Sequence, residues 1–506
     1  MARCFRRGAA LLAGLLTLLP ALPVRALEEV VVELPLLEST LTVNLRELRD
    51  PVALQQGSSE LAELDRASGG ALGRSLLKLL NQPMPLAITQ LATTSVGSPL
   101  LEQALLLVSS FGAVEGQSTD LSGAELRDAL LRAAAASPSG QATLLQLMEA
   151  IPGQRVQLNL SQAQQIAKRL IQQRSAANRL LAAATPAPAA PATAGAAAAI
   201  SRGRLAVPHR SAPLELLVMQ PSGPANGQLV LISHGLWDSP QSFQGWGQVL
   251  AARGYAVLMP WHPGSDAQQQ TAVLTGTAPP PSPDELTLRG RDLIAILDAV
   301  AAGQLVGVNG VDAQRVVVIG HSWGATTALQ LAGVKPSEVS LQQRCSDLNH
   351  PDRNLSWTLQ CSWLTAVDQA ALQDPRVIAV AAVSPPLSLL FPPGSGRQMS
   401  GRALLVSGSH DWVVPPDPEA IEPLRQGRPL GNQLVLVQGG DHFNLRPGEA
   451  SDGGVLGPLL AAWTDSAFAA GAAVRPAADA APLLGPGAWG SAVMPIADVT
   501  GAIQPR

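Results

Sequence analysis

The sequence predicts an α/β domain, with a mostly parallel sheet covered by helices on both faces, that follows a small, mainly helical domain. After residue 200, short apolar runs alternate with segments of helical periodicity, and fully apolar runs are typical of parallel strands buried on both faces. One run, Val316–Ile319, leads directly into the pentapeptide Gly320–Gly324. That pattern is typical of a sharp turn between a strand and a helix. Residues 27–183 instead show mostly helical apolar stripes.

A chain of 506 residues is long for a single domain, and its composition changes along its length. The expected segments are a signal peptide at 1–26, a mainly helical domain at 27–183, a Pro/Ala linker at 184–200, an α/β domain at 201–470 with a cap insert at about 335–374, and a low-complexity tail at 471–506. The linker has Pro and Ala without apolar periodicity, as extended spacers do. We expect the tail to be loosely ordered or to drape over the α/β domain.

The first residues have the order of a secretory signal peptide. Arginines at positions 3, 6 and 7 precede the apolar stretch Ala9–Leu19, and small residues follow at Val24–Ala26. We therefore expect export to the periplasm or the extracellular space. An uncleaved anchor is the alternative, although the apolar stretch is shorter than the roughly 20 residues that span a bilayer.

Charge and cysteine content restrict the partners of the chain. A formal net charge of -4 and a pI of about 6.0 argue against nucleic acid, and no basic block predicts an anionic membrane surface. Cys4 lies in the signal peptide, so Cys345 and Cys361 are the pair expected to form a disulfide; two free thiols are the alternative. No spacing of ligands predicts a metal, and neither a metal nor another cofactor is expected. The oligomeric state stays open.

The region 27–183 begins with two β-prone runs, Val30–Glu33 and Thr40–Val43, and then becomes helical. Helices are predicted over Ser75–Leu80 and Leu100–Leu107, after Ser122, around Leu144–Met148 and around Ile166–Ile171. Ser122 and Glu125 have the spacing of a capping box. The apolar stripes predict core packing rather than a lipid-facing surface. Because the region has no Trp, Tyr or His, we expect a structural or regulatory role for it.

The α/β domain has seven apolar runs that predict strands. They are Leu214–Met219, Leu229–Ser233, Ala256–Met259, Val316–Ile319, Val377–Val383, Ala403–Val406 and Leu434–Val437. Helices are predicted between and after them at Phe243–Arg253, Pro283–Ala302, Ala325–Ala332 and Asp452–Ala470. The insert at about 335–374 interrupts this alternation and carries both cysteines, at a position where lids are often inserted.

The pentapeptide Gly320–Gly324 reads G-H-S-W-G and has the spacing of a nucleophile elbow. Such a turn holds its serine in a strained conformation that exposes the hydroxyl group, and the flanking glycines leave room for tight packing. The following helix directs its amide groups and its positive dipole end at the turn. Ser322 is therefore the predicted nucleophile, and the N–H of Trp323 is a predicted oxyanion donor.

A serine nucleophile needs a base and an acid that orients the base. In hydrolases with this elbow the order along the chain is Ser, then Asp or Glu, then His. Asp411 and His442 follow successive apolar runs in that order and are the predicted acid and base. Asp441 and His410 are competitors, but each adjoins its would-be partner and would have to fold back on its neighbour.

A second oxyanion donor is expected from the loop after Leu229–Ser233, which reads S-H-G-L-W. The backbone N–H of Leu236 is the predicted donor, and His234 is expected to brace the loop. Trp237, Trp261, Trp323 and Trp412 each follow a predicted strand at its carboxyl end, which is where ligands bind in such sheets. Aromatic walls of an ester pocket are one interpretation of these tryptophans; core or rim packing is the other.

Several motifs resemble one branch of a known superfamily. They are S-H-G-L before Trp237, P-W-H-P-G-S-D at Pro260–Asp266, R-D-L-I-A-I-L-D at Arg291–Asp298, the G-H-S-W-G elbow, and G-S-H-D-W-V-V-P-P at Gly408–Pro416. The resemblance is to bacterial members of the platelet-activating-factor acetylhydrolase and dienelactone-hydrolase branch of the α/β-hydrolase superfamily, from about Arg204 to Phe468. The first half resembles the helical domain of unknown function that precedes such hydrolases in cyanobacteria.

The resemblance implies an α/β-hydrolase fold, a triad of Ser322, Asp411 and His442, and an oxyanion hole at Leu236 and Trp323. It implies a serine esterase or lipase that cleaves short to medium acyl or lipid-like esters, with a small hydrophobic ester as its partner. A polyester hydrolase or a chlorophyllase-like esterase shares much of the pattern. One departure weakens transfer of the phospholipid substrate, because Val383–Pro386 lacks the acid that eukaryotic acetylhydrolases place after that strand. A non-catalytic binding protein on the same fold would leave a fluorophosphonate probe unreacted.

Overall fold

In the computed structural model, the larger part of the chain folds around a nine-stranded sheet. It describes residues 27–34, 39–83, 94–95, 97–109, 112–115, 123–137, 142–158, 160–191, 198–308, 310–427, 432–470 and 481–503. The expected signal peptide and the capping-box Ser122 lie outside the described residues.

Each of the seven predicted apolar runs falls within a strand of this sheet. The strands are β5 (Ala199–Leu205), β6 (Leu214–Gln220), β7 (Gln228–Ser233), β8 (Ala256–Pro260), β9 (Asp312–His321), β10 (Val377–Val383), β11 (Arg402–Gly408), β12 (Gln433–Val437) and β13 (Ile496–Asp498). Their order is β13-β12-β11-β10-β9-β7-β8-β6-β5. The strands from β12 to β8 in that order are parallel to one another, and antiparallel strands close both edges.

Helices cover both faces of the sheet, and a separate apolar core lies on each side. They are α8 (Gln244–Ala252), α9 (Ala267–Leu274), α10 (Glu285–Ala301), α11 (Trp323–Leu331), α12 (Val339–Arg344), α13 (Ser356–Ser362), α14 (Glu422–Gly427) and α15 (Gly457–Ala469). Because the central strands are buried on both faces, their continuous Val, Ile, Leu and Ala runs form these two cores. This arrangement confirms the predicted α/β fold with a mostly parallel sheet.

The N-terminal region folds around a smaller sheet as well as helices. Its strands are β1 (Glu29–Leu34), β2 (Ser39–Asn44), β3 (Gly112–Val114) and β4 (Arg155–Leu158), in the order β2-β1-β4-β3. Its helices are α1 (Pro51–Gln56), α2 (Glu60–Ala67), α3 (Ala71–Leu80), α4 (Pro99–Ser109), α5 (Gly123–Ala136), α6 (Leu144–Ala150) and α7 (Leu160–Ala183). The sequence predicts β1 and β2 but neither β3 nor β4, since three or four residues are too few to show a period of two.

Of the two expectations for the C-terminal segment, a loosely ordered tail or one that drapes over the α/β domain, the described part fits the second. This part, 481–503, lies against the sheet edge, where β13 pairs antiparallel with β12. Leu484, Trp489 and Ile496 are buried in one of the two cores of the large sheet. Few apolar side chains are needed for this attachment, because pairing with an edge strand satisfies the backbone groups of the segment.

The insert between β9 and β10 is folded onto the same domain. It contains α12 and α13, and a disulfide joins Cys345 to Cys361. A buried carboxylate, Glu419, accepts hydrogen bonds from Ser356 and Gln360 of the insert and from the backbone N–H of Leu387. In the described part of the chain, no helix combines the length and the apolar character needed to cross a bilayer.

Candidate active site

The turn between β9 and α11 has the geometry of a strained elbow. Ser322 has φ 53° and ψ -123°, a backbone conformation that a residue with a side chain rarely adopts. A Cβ atom at Gly320 would lie 2.1 Å from the carbonyl oxygen of Gly324, and one at Gly324 would lie 2.0 Å from that of Ser233. Only glycine fits at either position, so the G-x-S-x-G spacing follows from packing at the turn.

His442 lies beside this elbow and is held by a carboxylate. Its Nδ1 atom is 3.0 Å from Oδ2 of Asp411. The other carboxylate oxygen of Asp411 accepts hydrogen bonds from the backbone N–H of Val413 and Val414, at 3.0 and 2.8 Å. The carboxylate can only accept, so Nδ1 carries the proton and Nε2 is left to accept one.

A second histidine, His321, supports His442 from the elbow itself. Its Nε2 atom is 3.0 Å from the carbonyl oxygen of His442, and the two rings are 4.8 Å apart. Burial, and then the proximity of His442, lower the pKa of His321 well below its usual value. His321 therefore stays neutral and donates its Nε2 proton to that carbonyl oxygen.

The two competing residues have other environments. Oδ1 of Asp441 accepts hydrogen bonds from the backbone N–H groups of Phe443 and Asn444, which makes Asp441 the start of a turn rather than a partner for His442. His410 lines a cavity beside α7, and burial lowers its pKa. Among the candidate pairs, the geometry brings together Asp411 and His442.

The loop after β7 approaches the elbow from the other side. A Cβ atom at Gly235 would lie 3.1 Å from the Cβ atom of Ser322. Trp323 is the first residue of α11, where a helix has no internal acceptor for its N–H. The loop with Leu236 and the start of α11 therefore both lie next to Ser322, where a pair of oxyanion donors is needed.

The ring of His234 fixes the peptide group that carries the N–H of Leu236. Nδ1 of His234 is 2.7 Å from the carbonyl oxygen of Gly235, and Nε2 accepts the backbone N–H of His262 at 3.1 Å. These two bonds define the neutral tautomer with the proton on Nδ1, and burial lowers the pKa of His234 well below its usual value. In a trans peptide the Gly235 carbonyl and the Leu236 N–H point in opposite directions. Because the His234 ring holds the Gly235 carbonyl, the Leu236 N–H points away from that ring.

A buried network of charged side chains packs against the loop that follows β7. Nη2 of Arg289 donates to the carbonyl oxygen of His234, and its guanidinium group stacks 4.9 Å from the ring centre of Trp323. Burial lowers the pKa of Arg289 to about 9 and that of His262 to about 3. His262 in turn bonds Ser233 and Asp292 at 2.9 and 2.8 Å.

Asp292 is the centre of that network. Although burial opposes its charge, hydrogen bonds from His209, His262 and Arg210 hold the pKa of Asp292 below its usual range. Arg210 also pairs with Glu285, which is one helical turn from Arg289 on α10. Sequence reasoning missed this network. A signal was present, because Glu285, Arg289 and Asp292 lie on one face of this helix at i, i+4 and i+7.

The four tryptophans at the carboxyl ends of the strands divide into two kinds. Trp323 is buried and packs 5.1 Å from the ring of Trp363, which belongs to the insert. Trp237 is half-buried and donates to Gln269 at 2.6 Å, and Arg202 lies over Trp261. Trp412 instead remains 52% exposed. The packing interpretation fits the first three, and only Trp412 offers a free aromatic face.

Two cavities lie close to these elements. The larger, of about 460 Å³, lies beside α14 and contacts Trp357 of the insert, but Ser322 does not line it. The smaller, of about 230 Å³, lies between α7 and the loop that carries Asp411. The second is the one that adjoins the acid–base pair. Within the described ranges, no group of three or more His, Cys, Asp or Glu side chains is placed to hold a metal ion.

Comparison with protein families agrees with this geometry. A family model described as alpha/beta hydrolase fold matches residues 228–341, which include the loop after β7 and the elbow. A second model, described as alpha/beta hydrolase of unknown function (DUF1400), matches residues 26–159. A search of curated proteins finds no match. The two family matches show an α/β-hydrolase fold and support a hydrolase.

Proposed function

We propose that the protein is an exported serine hydrolase that cleaves carboxylic esters through an acyl-enzyme. The observation that carries the proposal is the strained Ser322 at an elbow whose His321 bonds His442, together with the contact between Nδ1 of His442 and Asp411. This arrangement meets the requirements of a nucleophile, a base and an orienting acid. The disulfide between Cys345 and Cys361 supports export, because such bonds persist in oxidising compartments.

In the proposed mechanism, Nε2 of His442 accepts the Ser322 proton while the serine oxygen attacks the ester carbonyl carbon. The N–H groups of Leu236 and Trp323 stabilise the oxyanion of the tetrahedral intermediate. His442 then donates its proton to the leaving alkoxide oxygen, and the carbon–oxygen bond breaks to release the alcohol. Water, activated by His442, hydrolyses the acyl-enzyme and regenerates Ser322.

The substrate class proposed here is a hydrophobic ester of short to medium acyl chain or a lipid-like ester, as in the platelet-activating-factor acetylhydrolase-like branch. Polyester hydrolysis and chlorophyllase-like activity are the alternatives within the same chemistry. p-Nitrophenyl acetate and butyrate should be hydrolysed at neutral pH, and the palmitate ester far more slowly. A preference for palmitate would favour a lipase instead.

Replacing the nucleophile tests the mechanism directly. Ser322→Ala should lower kcat for p-nitrophenyl butyrate by about 10⁶, as loss of the nucleophile does in other serine hydrolases. It should also abolish labelling by a fluorophosphonate probe. Ser466→Ala on α15 is the matched control and should retain both activities. Near-normal turnover by Ser322→Ala would refute the mechanism, and a wild-type protein that the probe does not label would favour a non-catalytic binding protein.

A further inference from the structure

Helix α7 links the N-terminal region to the carboxyl edge of the large sheet. Its last turns bury Ala177 and Leu181 in the core of the α/β domain. Nearer its start, Arg169 donates to the carbonyl oxygen of His350 in the insert at 2.8 Å. The helix thus contacts the α/β domain at Arg169 and again at Ala177 and Leu181, and the segment between these contacts has a defined position.

That middle segment forms one wall of the cavity of about 230 Å³. Leu170, Ile171, Gln173 and Arg174 line it from α7, and the loop Ser409–Pro416 lines it from the sheet. The loop contributes Asp411 itself, so the cavity begins at the acid of the proposed triad. Its volume is smaller than the roughly 300 Å³ at which pockets for whole ligands begin. A cavity of this size suits one part of a substrate.

A continuous apolar surface connects this cavity with His442. Ile171 is 65% exposed, Trp412 52% and Phe443 49%. The rings of Trp412 and Phe443 are 6.4 Å apart, and Phe443 meets the ring of His442 edge-on at 5.4 Å. Exposed apolar side chains that cluster beside a catalytic group are typical of a ligand-binding surface.

The side of the site on which this surface lies indicates which part of an ester it would contact. In the proposed mechanism Nε2 of His442 donates a proton to the leaving alcohol oxygen, so that oxygen must lie beside Nε2. The cavity adjoins Asp411 on the Nδ1 side of the ring, and Phe443 and Trp412 lie between the ring and the cavity, so an alcohol chain of several carbons would pass these two rings to reach it. The acyl carbonyl oxygen would instead bind the N–H groups of Leu236 and Trp323, and neither residue lines this cavity.

We propose that the cavity between α7 and the Ser409–Pro416 loop is a subsite for an apolar alcohol portion of the ester, with the N-terminal region supplying one wall through Ile171. The proposal rests on the proposed ester hydrolysis. It assigns to the N-terminal region a role in the choice of the alcohol group, whereas the triad lies wholly in the α/β domain.

Filling the cavity tests the subsite. Wild-type enzyme should hydrolyse hexyl acetate with a kcat/KM about tenfold above that for ethyl acetate, since a few added methylene groups in an apolar pocket are worth this much or more. Ile171→Trp should remove this preference while ethyl acetate turnover stays within about twofold. Gln172→Trp, on the adjacent exposed position that does not line the cavity, should leave the preference intact.

Three outcomes would overturn the subsite without affecting the proposed function. They are an equal change by Ile171→Trp in kcat/KM for both acetates, no change in either value, or a change instead in the dependence on acyl length in the series from p-nitrophenyl acetate to octanoate. If wild-type enzyme hydrolyses no ester, the proposed function fails, and calorimetric titration with 1-hexanol decides on the subsite separately. Binding to wild type that Ile171→Trp loses would support it, and equal or absent binding would refute it.

Discussion

The two sides of the candidate site are supported in different ways. On the oxyanion side, the loop with Leu236 rests on His234, whose two ring nitrogens are both hydrogen-bonded and which lies in front of buried Arg289 and Asp292. On the acid–base side, the loops with Asp411 and His442 lie next to the exposed rings of Trp412 and Phe443. One side is enclosed by charges in fixed positions, and the other borders solvent and a helix of the N-terminal region.

The fixed network suits the positioning of oxyanion donors, and the exposed rings suit selection among alcohol groups. An oxyanion hole needs donors that do not reorganise during the reaction, and a buried network with many bonds to one loop holds them in place. Breaking such a network leaves uncompensated buried groups, so it resists local change. Exposed aromatic side chains on the acid–base side can adapt to different alcohol groups at little energetic cost. We infer that substitutions at Asp411, at His442 or on the oxyanion side change kcat for all esters, whereas those at the exposed rings and near α7 change preferences among esters.

The largest effect in this comparison is expected at the acid. Asp411→Asn should lower kcat by about 10⁴, because an amide at this position favours the wrong tautomer of the base. Asp441→Asn is the matched control, since its amide oxygen can still accept the turn hydrogen bonds from Phe443 and Asn444. Steady-state kinetics on p-nitrophenyl butyrate measure both. Equal losses in the two variants would remove Asp411 from its assigned role.

A smaller effect is expected on the oxyanion side. His234→Phe keeps the ring but removes the bonds to the Gly235 carbonyl and the His262 amide, so kcat should fall by about 10² to 10³ with KM nearly unchanged. Affinity for a trifluoromethyl ketone that forms a tetrahedral adduct should fall by a similar factor. His350→Phe, in the insert, should change neither value. A stable His234→Phe variant with normal kcat would show that the ring does not position the donor.

The elbow turn and the contact between Asp411 and His442 could be predicted because they follow from short sequence patterns. Glycine is required at 320 by a contact within the turn and at 324 by the end of β7, and Asp411 and His442 follow apolar runs that become adjacent parallel strands. The carboxyl ends of such strands lie at one edge of the sheet, so their order along the chain suffices to bring the residues together. The family matches likewise support the hydrolase fold that these patterns predict.

What the sequence did not predict depends on contacts between distant segments. Arg289, Asp292 and Glu285 form a network only because α10 packs behind the β7 loop, and no local pattern assigns a partner to a buried arginine. The position of α7 beside the Asp411 loop likewise arises from tertiary packing across more than two hundred residues of sequence. β13 is too short to be identified until its pairing with β12 is known.

Lowering the pH should reduce the free energy of unfolding through the buried histidines around the site. Burial lowers the pKa of His262 to about 3, and it holds the pKa values of His234 and His321 well below their usual value. Because the unfolded chain binds a proton at each histidine below about pH 6.5 while the folded chain does not, their contribution to stability is complete above that pH. This contribution is lost as the pH falls towards 3. For each histidine, the free energy of unfolding falls by at most about 1.4 kcal/mol per pH unit.

Three acidic groups act in the opposite direction at lower pH. Burial raises the pKa of Glu285, Asp266 and Asp417, so the folded state takes up their protons first, which offsets part of the loss as the pH falls through the range in which these carboxylates titrate. Urea unfolding at pH 7.0 and 5.5 should therefore show a clear fall in the free energy of unfolding. His262→Gln should lower stability at pH 7.0 and reduce the fall between the two pH values, since one proton uptake is removed. Equal stability at both pH values would contradict the neutral, buried state of these histidines.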